Sequence, residues 1–198
     1  MLPFSLTFPV ARPRWRGRFL FALRGAWDTN SGSTSESFET FFRRYEPEIT
    51  RYLWRMTGDE QSAGDLCQET FLRAWQHFAT IRSYEKPGAW LIKVASNLAL
   101  RYLHQRFSSA RIVIPLDDTL GPSTSDHGRR IVEQDLVRET LLELAPRARA
   151  MLVLREVHGL TGNEIAQTLG MPRTAVKMAL WRACVQFREQ YERKGGRP

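Results

Sequence analysis

Residues 160–172 read LTGNEIAQTLGMP, and the fold of the C-terminal third follows from them. Thr161 and Glu164 stand at the spacing of a capping box, in which the Thr hydroxyl accepts from the Glu164 amide and the Glu carboxylate reaches back. Ile165, Ala166 and Leu169 fill one face of a short helix. Gly170 turns the chain, and Pro172 opens a long helix with Val176, Leu180, Ala183 and Phe187 inward. Its outward positions include Arg173, Lys177, Trp181, Arg182 and Arg188. A short capped helix, a glycine turn and a basic second helix predict a helix-turn-helix, whose second helix fits the major groove. The plainer reading is a solvated basic helix in an ordinary hairpin.

Upstream, Ile131, Leu136, Val137, Leu141, Leu142 and Leu144 continue the helical period. Pro146 then opens a helix carrying Ala148, Met151, Leu152, Leu154 and Arg155, which ends at His158-Gly159. Residues 108–128, SSARIVIPLDDTLGPSTSDHG, have the Pro, Ser, Asp and Gly content of a linker, with IVIPL able to tuck against a neighbour. Fully extended, about 20 residues span several tens of Å.

The N-terminal half is a second helical pattern. Phe38, Phe41, Phe42, Tyr45, Ile49, Tyr52, Leu53 and Met56 recur at helical steps, with Pro47 as the point where that helix is weakest. Gly58 stops it, and Asp59 caps a helix with Ala63, Leu66, Cys67, Phe71, Ala74, Trp75 and Phe78 on its apolar side. TIRSYEK (80–86) is a loop. Pro87 opens a third helix whose Leu91, Val94, Ala95, Leu98 and Tyr102 face inward. No stretch alternates as a strand does, so the chain is expected to be all-α: a compact bundle and a helix-turn-helix module joined by a flexible linker.

Composition bounds the function. At 198 residues with 42% hydrophobic residues, the chain can build real cores in one domain or two small ones. The formal charge of +8 favours a polyanionic partner, nucleic acid or an anionic membrane surface. From Glu36 to Arg101 acids and bases balance, and the surplus lies in residues 1–35 and from Arg173 onward. Residues 1–35 read as a basic, disordered extension. There the apolar run precedes the arginines, the reverse of a secretory signal, and FLFAL is too short to span a bilayer. Cys67 and Cys184 lie far apart on apolar helical patterns and read as two buried thiols of a reducing compartment. His77, His104, His127 and His158 have no ligand spacing, so no metal and no cofactor are expected. Phosphate loop, nucleophile elbow and His/Cys pair are all missing, which argues against an enzyme.

Between the apolar face of the second helix and solvent, DLCQETFLRAW (65–75) crowds Asp65, Gln68 and Glu69 together. The carboxylates sit one turn apart, as a solvated back or a docking face would place them. In context, YEPEITRYLWRMTGDEQSAGDLCQETFLRAW (45–75) followed by AWLIKVASNLALRYL (89–103) closely resembles region 2 of the extracytoplasmic-function sigma factors. LAPRARAMLVLREV (144–157) with LTGNEIAQTLGMPRTAVKMALWRA (160–183) resembles their region 4, although response-regulator domains have similar turns. The resemblance spans about residues 36–107 and 131–192.

It implies a cytoplasmic initiation factor with no catalysis of its own and no membrane insertion. Residues 1–35 would be the extension, 36–107 the region 2-like domain, 108–130 the linker and 131–194 the region 4-like domain. Its implied partners are core RNA polymerase, through the clamp coiled coil of the largest subunit and the flap, promoter DNA, and an anti-sigma factor. Asp65, Leu66, Gln68, Glu69 and Phe71 would bind the polymerase, with core packing as the competing role for Leu66, Phe71 and Trp75. Arg82, Ser83, Tyr84, Lys93, Asn97 and Arg101 would address the −10 element. The loop 82–86 would capture a flipped base, or else be a mobile polar loop. Arg173, Lys177, Met178, Trp181 and Arg182 would face the −35 element, Arg182 binding phosphate or base. Met178-Ala179 replaces the family's frequent Ser-Arg and Cys184 a common Arg, which removes polar readout. The rival reading is a helix-turn-helix regulator whose first bundle senses a signal or dimerises and never binds polymerase.

Overall fold

The computed structural model describes residues 36–109 and 126–196, so the N-terminal extension, the IVIPL segment and most of the linker lie outside the described residues. Eight helices and no strand occur among the described residues: α1 Phe38–Thr57, α2 Glu60–Gln76, α3 Phe78–Ile81, α4 Pro87–Ser109, α5 Asp126–Glu143, α6 Pro146–Glu156, α7 Gly162–Leu169 and α8 Arg173–Arg193. Helices α4 and α5 both extend into the stretch read as linker. By Cα proximity the chain divides into two compact units within α4, between Leu98 and Ala99. The bundle of α1–α4 and the unit of α5–α8 are described separately.

In the bundle, local chemistry sets the helix ends. Ser37 Oγ accepts from the Thr40 amide at 3.3 Å to start α1, and Asp59 accepts from the Ser62 amide at 2.7 Å to start α2. Between them Gly58 takes φ 74°, which closes α1 through its amide to the Trp54 carbonyl. Helix α1 continues through Pro47, which is exposed, and the Arg51 guanidinium donates to the Pro47 carbonyl at 3.0 Å.

An aromatic cluster joins α1 to α2 and α3. Phe42 meets Phe71 edge-on at 4.7 Å, Phe38 meets Trp75 at 4.9 Å, and Phe78 meets Phe38 and Phe41 at 5.1 and 5.3 Å. Edge-to-face pairs of this kind add about 0.5–1.5 kcal/mol each beyond area burial. Phe78 is not on α2, where the periodicity places it. His77, at φ −117° and ψ 15°, ends that helix, and Phe78 starts α3, aimed back at the cluster.

Helix α4 is held to α1 by a buried polar link. The Tyr52 hydroxyl lies 2.7 Å from Ser96 Oγ, which donates its own proton to the Ile92 carbonyl, so Tyr52 is the donor between them. Burial pushes the Tyr52 phenol far above its usual pKa, which keeps that donor protonated. At the start of α4, a Cβ on Gly88 would stand 3.0 Å from the Tyr45 ring, so the first turn approaches α1 through a glycine.

In the second unit, α8 packs against α5, α6 and α7. The capping box of α7 is complete: Glu164 Oε2 accepts from the Thr161 amide at 2.8 Å, and the Glu164 amide donates to Thr161 Oγ1 at 3.3 Å. Gly170 at φ 61° closes α7 through its amide to the Ala166 carbonyl. Pro172 is the residue before α8 rather than its first. Ile165, Leu169, Val176, Ala183 and Tyr191 are buried. Thr161→Ala is expected to cost this unit about 1 kcal/mol, because the Glu164 amide loses its acceptor while the return bond survives. Urea unfolding of the two proteins checks it.

One sequence expectation fails here. Cys67 is buried but Cys184 is exposed, since on α8 it lies beside the solvent face and not under Val176. Arg155 is exposed, whereas Arg149 is 2% exposed and lies at the end of α5. Its guanidinium donates to the carbonyls of Leu141 at 2.9 Å, Leu142 at 2.5 Å and Leu144 at 3.2 Å, groups that a helix C-terminus leaves without amide partners. Burial pulls its pKa down to about 10, still far above neutrality, so the cap stays charged. Across the same unit, Lys194 ties the end of α8 to Glu139 and Glu143 of α5 at 3.3 and 2.8 Å.

Candidate protein-binding and nucleic-acid-binding faces

The aromatic cluster fixes how α2 rotates about its axis. With Phe71, Ala74 and Cys67 turned inward, Asp65 stands exposed, and Leu66, Gln68 and Glu69 are half-buried at the surface. Glu69 accepts from Arg73 Nε at 2.8 Å, an i,i+4 pair whose side chains are 42% and 38% exposed. Phe71 is 0% exposed against Phe42 and offers no surface to a partner. It sets the rotation of α2, and burial overrides the contact role assigned to it. Leu72 is 43% exposed and was missed. It lies three residues after Glu69 and seven after Asp65, so the helical period alone puts it on the acidic face.

A second face lies on α4 and the loop before it. Lys93, Asn97 and Arg101 are exposed at four-residue steps and make one stripe, roughly 12 Å long at 1.5 Å per residue. Arg82, Ser83 and Tyr84 are exposed as well, with Tyr84 at 43%. The backbone beneath them is ordered by turns: Arg82 donates to Phe78, Ser83 to Thr80 and Tyr84 to Ile81, at 3.0–3.2 Å. An exposed ring beside cations is suited to stacking on an unpaired base.

The third face is α8. Arg173, Lys177, Met178, Trp181 and Arg182 are all exposed, Met178 at 50% and Trp181 at 60%. Val176, Ala183 and Tyr191 are buried on the other side. Partial desolvation of the sulfur on this otherwise exposed residue, together with the nearby Glu156 carboxylate, raises the Cys184 thiol against the opposing pull of Arg188 and Arg155, which lowers its thiolate fraction. Among the described residues no His/Cys/Asp/Glu group could hold a metal ion, and no helix is long and apolar enough to cross a membrane.

A two-module helical chain with an acidic helix face in one module and a basic helix-turn-helix in the other is the architecture of a promoter-recognition factor. Family models support that class: residues 41–107 match Sigma-70 region 2, and residues 134–187 match Sigma-70, region 4. The chain is 34% identical over 136 residues to the ECF RNA polymerase sigma factor SigL of Mycobacterium tuberculosis H37Rv, covering 67% of this chain and 76% of that one. It is 29% identical over 158 residues to the RNA polymerase sigma factor YlaC of Bacillus subtilis, covering 78% of this chain and 91% of that one. The sigma factor RpoE of Bartonella quintana, solved with the anti-sigma factor NepR, has the same fold, with a TM-score of 0.61 over 78% of this chain and 96% of that chain at 17% identity.

The chain belongs to the extracytoplasmic-function (ECF) sigma factors. It binds core RNA polymerase and directs it to promoters, and the reading as a regulator indifferent to polymerase is not favoured.

Proposed function

We propose that the three faces divide the work of initiation. The α2 face, Asp65, Leu66, Gln68 and Glu69 with Leu72, docks on core polymerase. Lys93, Asn97 and Arg101, together with the 82–86 loop, engage the −10 element, and α8 engages the −35 element. Residues 36–107 and 131–194 are the two working modules, 108–130 spaces them, and 1–35 is an added basic extension. The chain works in the cytoplasm and the polymerase carries all the catalysis. An anti-sigma factor that covers these faces, of the kind solved with the Bartonella protein, is the natural antagonist.

The observation that carries this reading is the exposure, in one chain, of an acidic α2 face and a basic α8 face, each fixed by a packed core behind it. Two short elements read by linked modules gain specificity because the second contact becomes intramolecular. Arg182→Ala is expected to weaken holoenzyme binding to a −35 duplex, since a hydrogen bond from a charged donor contributes about 1.5–3 kcal/mol. Unchanged binding would remove α8 from the DNA.

A further inference from the structure

The solvent side of α8 is ordered more finely than a basic helix requires. At roughly 100° per residue, and measured from buried Val176, the side chains of Thr174, Met178, Trp181 and Val185 lie roughly 140–180° away. They form the middle of the outward face. Lys177 and Arg188 flank it on one side, roughly 100–120° from Val176, and Arg182 flanks it on the other at roughly 120°. No acidic residue occurs between Arg173 and Arg188. The ridge is mainly apolar along its crest, with the Thr174 hydroxyl at one end, exposed Met178 and Trp181 in the middle and half-buried Val185 at the other end, and it is cationic along its edges.

A helix lying in a major groove points its crest at the base edges and its flanks at the two phosphate walls. Cationic flanks therefore suit a duplex as the occupant, whereas an apolar crest cannot make the bidentate hydrogen bonds that distinguish guanine or adenine. The apolar feature of the major groove is the C5-methyl group of thymine. Met178, unbranched and polarizable, and the broad face of Trp181 can both cover such methyl groups.

We propose that the Thr174–Met178–Trp181–Val185 crest reads the −35 element through thymine methyl groups, while Lys177, Arg182 and Arg188 hold the phosphates without regard to sequence. The inference rests on the reading of α8 as the −35 face. It assigns that element a run of A·T pairs with thymines on the contacted strand.

The test uses holoenzyme assembled from the full chain and core polymerase. A −35 sequence is first selected by that holoenzyme from a randomised duplex pool. The same duplex is then made with each −35 thymine replaced by 2′-deoxyuridine, which removes only the methyl group. The wild type is expected to lose about fourfold in affinity per contacted thymine, the worth of one buried methyl-sized group. Met178→Ala with Trp181→Ala, both at exposed positions, is expected to bind the two duplexes equally. Lys177→Ala with Arg182→Ala is expected to weaken both equally and keep the discrimination.

A wild type indifferent to deoxyuridine would overturn the methyl readout. If the cation variant still lost affinity in that case, α8 would remain the DNA face. If the cation variant also bound as the wild type does, the assignment of α8 to the −35 element would fall with it. Loss of core binding in the Met178/Trp181 variant, with neutral deoxyuridine, would make the crest a protein contact and overturn the inference as well.

Discussion

Asp65→Lys combined with Glu69→Lys is expected to reduce affinity for core RNA polymerase by two to three orders of magnitude, equivalent to about 3–4 kcal/mol. Opposing like charges at a formed interface costs several kcal/mol, and truncating one partner of a desolvated charge pair costs about 2–5. The fold should survive the change. Asp65 is exposed, and Glu69 makes only the exposed pair with Arg73, so the second lysine adds an i,i+4 repulsion of about 0.2–0.5 kcal/mol. Native helicity with lost core binding, measured by circular dichroism and by titration of fluorescent core, is the expected pair of results. Undiminished affinity in a folded variant would end the docking role of α2. Leu72→Ala on the same face has no role in the α1–α2 core and is the natural companion variant.

The largest effect on stability is expected from Arg149→Met. The substitution keeps length and apolar stem but removes three donors from the Leu141, Leu142 and Leu144 carbonyls at the end of α5. Hydrogen bonds from a charged group contribute about 1.5–3 kcal/mol each, and water can reach part of the vacated site, so a loss of about 3–5 kcal/mol is expected. That is comparable with the whole stability of a module this size, at about 0.05–0.15 kcal/mol per residue. Hydrogen exchange should rise throughout α5–α8 and stay unchanged in α1–α3. Arg149→Lys should recover only a fraction, because one ammonium cannot reproduce the planar fork. Wild-type exchange in α5–α8 of the Met variant would mean that the carbonyls find other donors.

What could be read in the sequence was whatever is decided locally. The Thr161–Glu164 box, the turn at Gly170 and the stop at Gly58 each depend on residues within one helical turn. The aromatic periodicity of α1 needed only a hydrophobic interior to pack against, and its predicted core positions are buried apart from half-buried Tyr45. Arg149 was not legible, because a guanidinium among PRARAM looks like solvated charge. Only the fold of α6 back onto α5 supplies the three carbonyls that justify burying it.

Phe71 and Leu72 exchange roles for a related reason. In a helix with apolar residues on more than one side, rotation is set by the neighbour, here Phe42, and the sequence names no neighbour. The break at His77 likewise depends on Phe78 finding Phe38 and Phe41. Among the candidate site residues, the α4 stripe and the α8 face are exposed at the positions their spacing gives. Apolar Met178 and Trp181 stand out only once their exposure is known.

The central claim is that one chain confers promoter choice on a polymerase that lacks it. The most direct measurement is transcription in vitro with core polymerase on a promoter selected by the holoenzyme, with the full chain added or withheld. Start-site-specific transcripts are expected only when the chain is present, and they should disappear with the Asp65/Glu69 charge-reversal variant. Sequence-specific duplex binding by the chain alone, with no core binding and no specific transcript, would contradict the account.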